Sequence, residues 1–342
     1  MAAITLADLA IRYGCELRGD PDLEVSCVGT LDSAESGAIS FLANSAYRAK
    51  LTSVKATAVI LAEEDADDCP VACLVTPNPY AAYAAVATEL YPARKPKPGV
   101  HPSVVCDPGT SIPASAEVGP GVVLGSKVQL GERTYIGPNT VIGDNVSVGD
   151  DGWLAANVSI ASGTRIGKRC LLHSGAVVGS DGFGIAQSDS GWIKVPQVGG
   201  VAIGDDFEMG ANSTIDRGAI EDTCIGDDVK LDNMVQIAHN VIIGDHTAFA
   251  ALAGVGGSAK IGARCMIGGQ AGVLGHLEVC DDVFIHAHSL VTKGIREPGT
   301  YSSAWGVEEA SKWRRLVGHF KRLEVIAEKI KAFQKTLKDI KK

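Results

Sequence analysis

Every sixth residue from Ile112 to Val178 is apolar: Ile112, Val118, Leu124, Leu130, Ile136, Ile142, Val148, Leu154, Ile160, Ile166, Leu172 and Val178. A second unbroken series runs Ile225, Leu231, Ile237, Ile243, Phe249, Val255, Ile261, Ile267, Val273, Val279, Ile285, Val291. The next residue is usually glycine, as at Gly119, Gly125, Gly131, Gly137, Gly143, Gly149, Gly167 and Gly179. An α-helix repeats its apolar face near 3.6 residues and a strand every two, so one continuous element of either kind is excluded. A period of six fits a chain wound into a triangular prism, a hexapeptide-repeat β-helix. Each side is a short strand, the aliphatic residue points to the axis, and the small residue after it fits the tight corner. Three hexads close one coil. Coils stacked at about 4.8 Å give a rod of roughly 40–50 Å from eight to ten of them. The core is then a column of Ile, Val and Leu, each covered by the coils above and below. The series breaks between Gly179 and Val201 and, by a shorter step, between Ile215 and Ile225. Insertions of this kind are extruded as loops, often on a binding face.

The first 98 residues lack the hexad and read as a small α/β domain. Their patterns predict helices near Thr5–Tyr13 and Tyr80–Leu90 and strands at Ala56–Ala62 and Val71–Thr76. YPARKPKPG (91–99) is a Pro- and Lys-rich linker. The solenoid domain is expected over 99–306, with EPGTYSS (297–303) ending the repeat in turn chemistry. A third segment, 307–342, carries Leu316, Phe320, Leu323, Ile326, Ile330 and Phe333 at helical spacing, an amphipathic helix or helical pair rich in Lys and Arg. It serves to cap the open coil, to dock a partner, or both.

Composition narrows the class. A net charge of -9 argues against bulk nucleic-acid binding. The nine cysteines form no CxxC pair, the closest being Cys69 and Cys73, and read as reduced thiols of a cytosolic protein. Asp8 and Arg12 interrupt the only apolar N-terminal stretch, so no signal peptide is expected, and no apolar run is long enough to span a bilayer.

Chemistry in a regular rod must come from departures from the repeat. His239 lies two residues after the column residue Ile237, and His276 three after Val273. Their separation is two coils plus one residue, which puts both on one side of the prism. Gly257 lies one coil beyond His239 on that line. A histidine and a bare backbone amide side by side are a general base beside an oxyanion donor. Asp232, after the column residue Leu231, could orient an imidazole or equally be a corner residue. The bland alternative is solvated histidine, since His173, His246, His286 and His288 also lie off the column. A zinc site of the β-helix carbonic anhydrase kind pairs two histidines as H-x4-H. Here His239 and His246 are seven apart and His286 and His288 two, so no metal is expected.

The motifs FLANSAY (41–47), TPNPY (76–80), GSDGFG (179–184), PQVG (196–199), IDRGA (215–219), DNMVQIAHNVIIGD (232–245), GGQAGVLGH (268–276) and EPGTYSS stand in an order that resembles the UDP-3-O-acylglucosamine N-acyltransferases of lipid A biosynthesis. The resemblance covers almost the whole chain and implies a left-handed β-helix, an exception to the usual crossover hand. It also implies a cytoplasmic homotrimer that moves a 3-hydroxyacyl chain from acyl carrier protein to the 2-amine of a UDP-acylglucosamine, with no cofactor. By the same resemblance His239 is the general base, Asp232 its electrostatic partner, Gly257 the oxyanion amide and His276 a second histidine near the thioester. Phe41 and Asn44 match residues that stack on and hydrogen-bond to uracil, with Tyr47 nearby. An acidic carrier calls for basic docking residues, for which Lys293, Arg296, Arg314 and Arg315 are candidates; the order TKGIREPG (292–299) departs from the family pattern there. Three rivals remain. A UDP-N-acetylglucosamine O-acyltransferase would lack an N-terminal domain of this kind, an acetyl-CoA-dependent sugar acetyltransferase would refuse the carrier-bound chain, and a non-catalytic scaffold would not notice loss of His239.

Overall fold

A computed structural model describes residues 3–303 and 305–340. The chain divides into two compact units, Met1–Lys95 and Pro96–Lys342.

In the first unit five strands form one sheet in the order Glu16–Arg18, Ala72–Val75, Ala58–Leu61, Ala38–Phe41, Cys27–Val28. All neighbours are parallel except the first pair. Both faces are covered, and the central strand Ala58–Leu61 is buried at every residue, the continuous apolar run that a two-sided parallel strand requires. One face packs Leu6, Leu9, Val86 and Leu90 of two helices against Ile39, Ile60 and Leu74. The other packs Leu31, Leu42 and Leu51 against Val59, Leu61 and Val75. The helix Leu6–Tyr13 starts where Thr5 Oγ1 accepts the Asp8 N–H at 3.2 Å and stops at Gly14, whose φ is 63°. The helix Pro79–Leu90 starts under the Asn78 side chain, with proline in its first position.

The second unit is the solenoid. Two-residue strands recur at the hexad and stack into three parallel sheets of 11, 10 and 8 strands. Residues in adjoining coils pair with a separation of 18, as Val123 with Val141 and Leu124 with Ile142. The column residues are buried throughout, from Val118 to Val291. A second buried column, two residues before the first, went unread in the sequence: Val122, Val128, Thr134, Val146 and Phe207 all lie within the rod. It escaped notice because threonine, cysteine and alanine share it with valine, so it has no uniform apolar signal.

The glycine after each column residue is set by the coil above. A Cβ at Gly119 would stand 3.1 Å from Pro138 N, at Gly143 2.7 Å from Ser162 N, and at Gly244 2.6 Å from Ala263 N. The turn is made two residues later, at left-handed positions held by side-chain-bearing residues such as Asn139 (φ 58°), Asn145 (56°), Asn240 (59°) and His276 (60°). Asparagine and aspartate tolerate that conformation best and are frequent there. Along the corner that leads into the 11-stranded sheet these residues form a ladder of ion pairs: Arg133–Asp151 at 2.7 Å, Arg169–Asp206 at 2.6 Å, His246–Asp228 at 2.9 Å and Arg264–Asp282 at 2.7 Å.

Both breaks in the hexad fall at the corner that follows the 10-stranded sheet. The first carries a hairpin, Ile185–Ser188 against Gly191–Lys194. Coil-to-coil partners are 37 residues apart across it and 22 across the second. The stack resumes unshifted, Ile166 on Ile203 and Ile203 on Ile225. After strand Gly299–Tyr301 come the helices Ala310–Phe320 and Leu323–Ile340, the helical pair of the sequence reading. Their apolar row is exposed within one chain, Phe320, Leu323, Ile326, Ile330 and Phe333 among it.

Candidate active site

His239, Gly257 and His276 lie on one line of corners, the same corner that carries both excursions. Backbone bonds tie the line together: Ser258 N–H donates to His239 O at 2.9 Å and His276 N–H to Gly257 O at 2.9 Å. The imidazole of His239 lies between neighbours without side chains. A Cβ at Gly257 would stand 2.7 Å from Nε2 and 2.8 Å from Cε1, and one at Gly182, in the first excursion, 2.9 Å from Cδ2.

Its tautomer follows from the second excursion. Asn240 Nδ2 donates to the Glu221 carbonyl at 2.8 Å, and Asn240 Oδ1 accepts the Ala219 N–H at 2.9 Å. The amide is thereby oriented, and the atom 3.0 Å from His239 Nδ1 is its oxygen. Nδ1 must then carry the proton, which leaves the lone pair on Nε2, facing Gly257.

The Gly257 amide differs from its counterparts. At several corners the equivalent N–H is capped from the neighbouring coil: Ser126 by Asp144 at 2.8 Å, Ala211 by Asn233 at 2.7 Å, Asp227 by Asp245 and Ala263 by Asp281 at 2.9 Å each. The residue that would cap Gly257 is Gly275, which has no side chain. Among the described residues the Gly257 N–H finds no acceptor. A half-exposed base and a free donor thus share one pocket of backbone, an arrangement able to take a proton and hold a developing oxyanion.

Asp232 is at a different corner. Its carboxylate accepts the Asn233 N–H at 2.7 Å and the Ala251 N–H at 3.1 Å, and within one chain it does not join His239. The acid beside the corner of His239 is Asp216, one coil from Ala238, which the sequence holds only as one residue of the motif IDRGA. It is only 9% exposed, accepts Ser180 Oγ–H at 2.9 Å and Gln236 Nε2–H at 3.0 Å, and is pushed above the usual carboxylate range chiefly by burial, with His239 acting in the opposite direction. Gln197, also unread, is buried beside the same loop, and its Oε1 has no donor among the described residues. A glycine-rich motif such as GSDGFG was the available signal, but only the fold shows what its glycines make room for.

His276 lines an open groove of about 850 Å³ with Lys260, Glu278 and Arg296. Lys293 lines a neighbouring recess under Ser303, while Arg314 and Arg315 are exposed on the first C-terminal helix. Among the described residues there is no cluster of three metal-ligating side chains and no helix long and apolar enough to cross a membrane.

The first unit has a cavity of its own, about 430 Å³, beyond the carboxyl end of strand Ala38–Phe41. Phe41, Asn44 and Tyr47 line it, joined by Tyr80, Leu31 and the ion pair of Lys50 with Asp32. Tyr83 stacks on Phe41 at 4.0 Å between centroids, and Tyr80 lies at 5.6 Å. The two tyrosines stand one helical turn apart in PYAAY, a spacing from which they were readable. Asn44 Oδ1 accepts the Ala46 N–H at 2.9 Å, so the amide is fixed with its NH2 group left as the donor. The cavity suits a flat, polar-edged ring.

A hexapeptide solenoid that sets a base and an uncapped amide on one edge has the construction of a hexapeptide-repeat transferase, and the chain matches the bacterial transferase hexapeptide over residues 109–144 and the hexapeptide repeat of succinyl-transferase over 127–162 and 258–293. Residues 22–89 match the family described as UDP-3-O-(3-hydroxymyristoyl) glucosamine N-acyltransferase. Proteins named UDP-3-O-acylglucosamine N-acyltransferase are 49% identical over 330 residues in Hahella chejuensis (96% of this chain, 95% of that one) and 47% over 339 in Pseudomonas fluorescens (99% and 97%). One from Coxiella burnetii is 44% identical over 335 residues, 98% of each chain. The chain belongs to the UDP-3-O-acylglucosamine N-acyltransferase family and is an acyltransferase. Among solved structures, the UDP-N-acetylglucosamine O-acyltransferase of Moraxella catarrhalis is 25% identical, with 63% of this chain and 77% of that chain covered and a TM-score of 0.45.

Proposed function

We propose that the protein moves a 3-hydroxyacyl chain from the thioester of acyl carrier protein to the 2-amine of UDP-3-O-acylglucosamine, as a cytoplasmic homotrimer without a cofactor. The observation that carries this reading is the free lone pair of His239 Nε2 against the uncapped Gly257 N–H. The amine attacks the thioester carbonyl while Nε2 takes its proton, and the Gly257 amide holds the oxyanion. Collapse of the tetrahedral intermediate breaks the C–S bond, and the imidazolium returns the proton to the leaving thiolate. No step needs a metal or an oxidant. His276, one coil beyond Gly257, faces the groove that would lead the pantetheine arm in, with Lys293, Arg296, Arg314 and Arg315 set to meet an acidic carrier. Phe41 would support the uracil face, Asn44 would donate to its edge, and Tyr47 and Tyr80 would wall the ring.

The test is a transfer assay with 3-hydroxyacyl carrier proteins of several chain lengths, using wild type and His239→Ala. N-acylated product from wild type and none from the folded variant is expected. Absence of product with every chain length, or undiminished turnover in the variant, refutes the reading. Use of acetyl-CoA instead, or O-acylation of UDP-N-acetylglucosamine, would move the protein to a different member of the class.

A further inference from the structure

The strand Val177–Ser180 carries the one irregularity of the 10-stranded sheet: its pairing with Thr214–Asp216 shifts between Val178 and Ser180. Gly179, at φ 86°, takes up the extra residue. The bulge matters because it turns Ser180 onto Asp216. Gln236, from the strand just before His239, closes on the other carboxylate oxygen. Asp216 therefore has two neutral donors and, among the described residues, no cationic side chain. A buried carboxylate without a cation is costly and calls for an explanation.

Its position supplies one. Ile215 pairs with Ile237, so Asp216 stands one coil beneath Ala238, beside the corner of His239. The other charged groups around that corner are engaged elsewhere. Arg217 donates to the Gly199 carbonyl at 2.7 Å, Asp222 pairs with Arg165 at 2.8 Å and Asp181 with Lys194 at 2.6 Å. Glu221 contributes its backbone carbonyl to Asn240, and His276 belongs to the coils beyond. We propose that Asp216 is the built-in counter-charge of His239, a positioning residue that favours the imidazolium formed as the amine loses its proton. This rests on the reading of His239 as the base. It goes further by assigning the same-chain partner to Asp216 and leaving Asp232 to another task.

The test compares Asp216→Asn with Asp232→Asn in the full-length trimer, reading kcat/KM against pH. Removal of a negative charge near an imidazolium makes the imidazolium easier to deprotonate. The acid limb of the Asp216→Asn profile should therefore move to lower pH by about half a unit or more, with the plateau about tenfold lower. Asp232→Asn should leave the limb in place. A lowered plateau with an unmoved limb means a merely structural role and overturns the proposal. If Asp216→Asn does not fold, the coupling is read from the other side, since linkage is reciprocal. In His239→Gln, 13C NMR of labelled aspartate should show the Asp216 carboxyl titrating at higher pH than in wild type; coincident midpoints overturn the proposal. His239→Ala separates the two claims: an active His239→Ala sinks the general-base reading, whereas an inactive one with an unmoved Asp216→Asn limb sinks only this inference.

Discussion

Gly256 and Gly257 are adjacent, yet substitution by alanine should have opposite consequences. At Gly256 a Cβ would stand 2.5 Å from Gly275 N and 3.0 Å from its Cα. That obstacle is backbone locked into the stack and cannot retreat, so Gly256→Ala should cost about 1–3 kcal/mol of stability, as overpacking does. At Gly257 the first atoms met belong to a side chain, His239 Nε2 at 2.7 Å and Cε1 at 2.8 Å. Ordinary contact begins at 3.4 Å, so the ring must withdraw by about 0.7 Å or rotate. His239 is partly exposed and can do so. Gly257 has no left-handed φ, and alanine there restricts the unfolded chain, worth about 0.4–1 kcal/mol in its favour. Stability should thus be nearly unchanged. Activity should not be: a displacement approaching 1 Å at the reacting group costs on the order of 100-fold, and the methyl also crowds the oxyanion position. Initial-rate N-acylation assays and thermal melts of the two variants read both quantities. Gly257→Ala with wild-type turnover would refute the placement of base and amide donor against each other, and equal melting losses in the two variants would refute the distinction between backbone and side-chain obstruction.

Three further outcomes are expected. Phe41→Ala should weaken UDP-sugar binding by roughly tenfold in calorimetry, through loss of an aromatic face that Tyr83 backs at 4.0 Å, with kcat at saturation little altered; unchanged affinity removes the stacking role. Phe207→Ala empties the largest fully buried side chain of the rod and should destabilise by about 3–5 kcal/mol in denaturant unfolding, while a cost under 1 kcal/mol would show that the coils collapse around the void. The ladder aspartates Asp151, Asp206, Asp228 and Asp282 are held below the usual carboxylate range by Arg133, Arg169, His246 and Arg264. A lowered folded-state value gives stability that is present above the ordinary value of 3.8 and lost as pH falls through the folded one. Melting temperature should therefore drop below about pH 4, modestly because the pairs are about half-exposed and screened. A melting temperature that holds from pH 5 to pH 3 would contradict this.

The rod was legible in the sequence because its first column, from Ile112 to Val291, is apolar throughout and, Met209 aside, built from branched and aromatic residues. The spacing of His239, Gly257 and His276 was legible for the same reason, since a fixed coil turns sequence distance into position. What escaped was whatever depended on the excursions. Asp216 is only one residue of the motif IDRGA until the bulge at Gly179 is known, and Asn240 gives no sign that it decides the tautomer until Ala219 and Glu221 are folded against it. In the first unit the strands Glu16–Arg18 and Cys27–Val28 were missed because short edge strands carry too little periodicity to register. Tyr80 and Tyr83 were visible as helical residues, but not as the wall of a cavity.

The unshifted pairing of Ile166 with Ile203 and of Ile203 with Ile225 means that the stack tallies windings and is blind to how much chain lies between them. Mutational drift can therefore lengthen or shorten the loops of the 181–200 and 217–222 stretches without shifting the stack of column residues. Since both stretches wrap the histidine, novelty in this architecture has a permitted address: the mainframe is held constant while the wrapping, apart from Gly182, Ala219 and Glu221 that seat the base and its neighbour Asn240, can be rewritten. Grafting those two stretches between relatives should then carry over acceptor preference on an intact rod, a modularity that a conventional globular core, where every insertion meets a neighbour, does not offer.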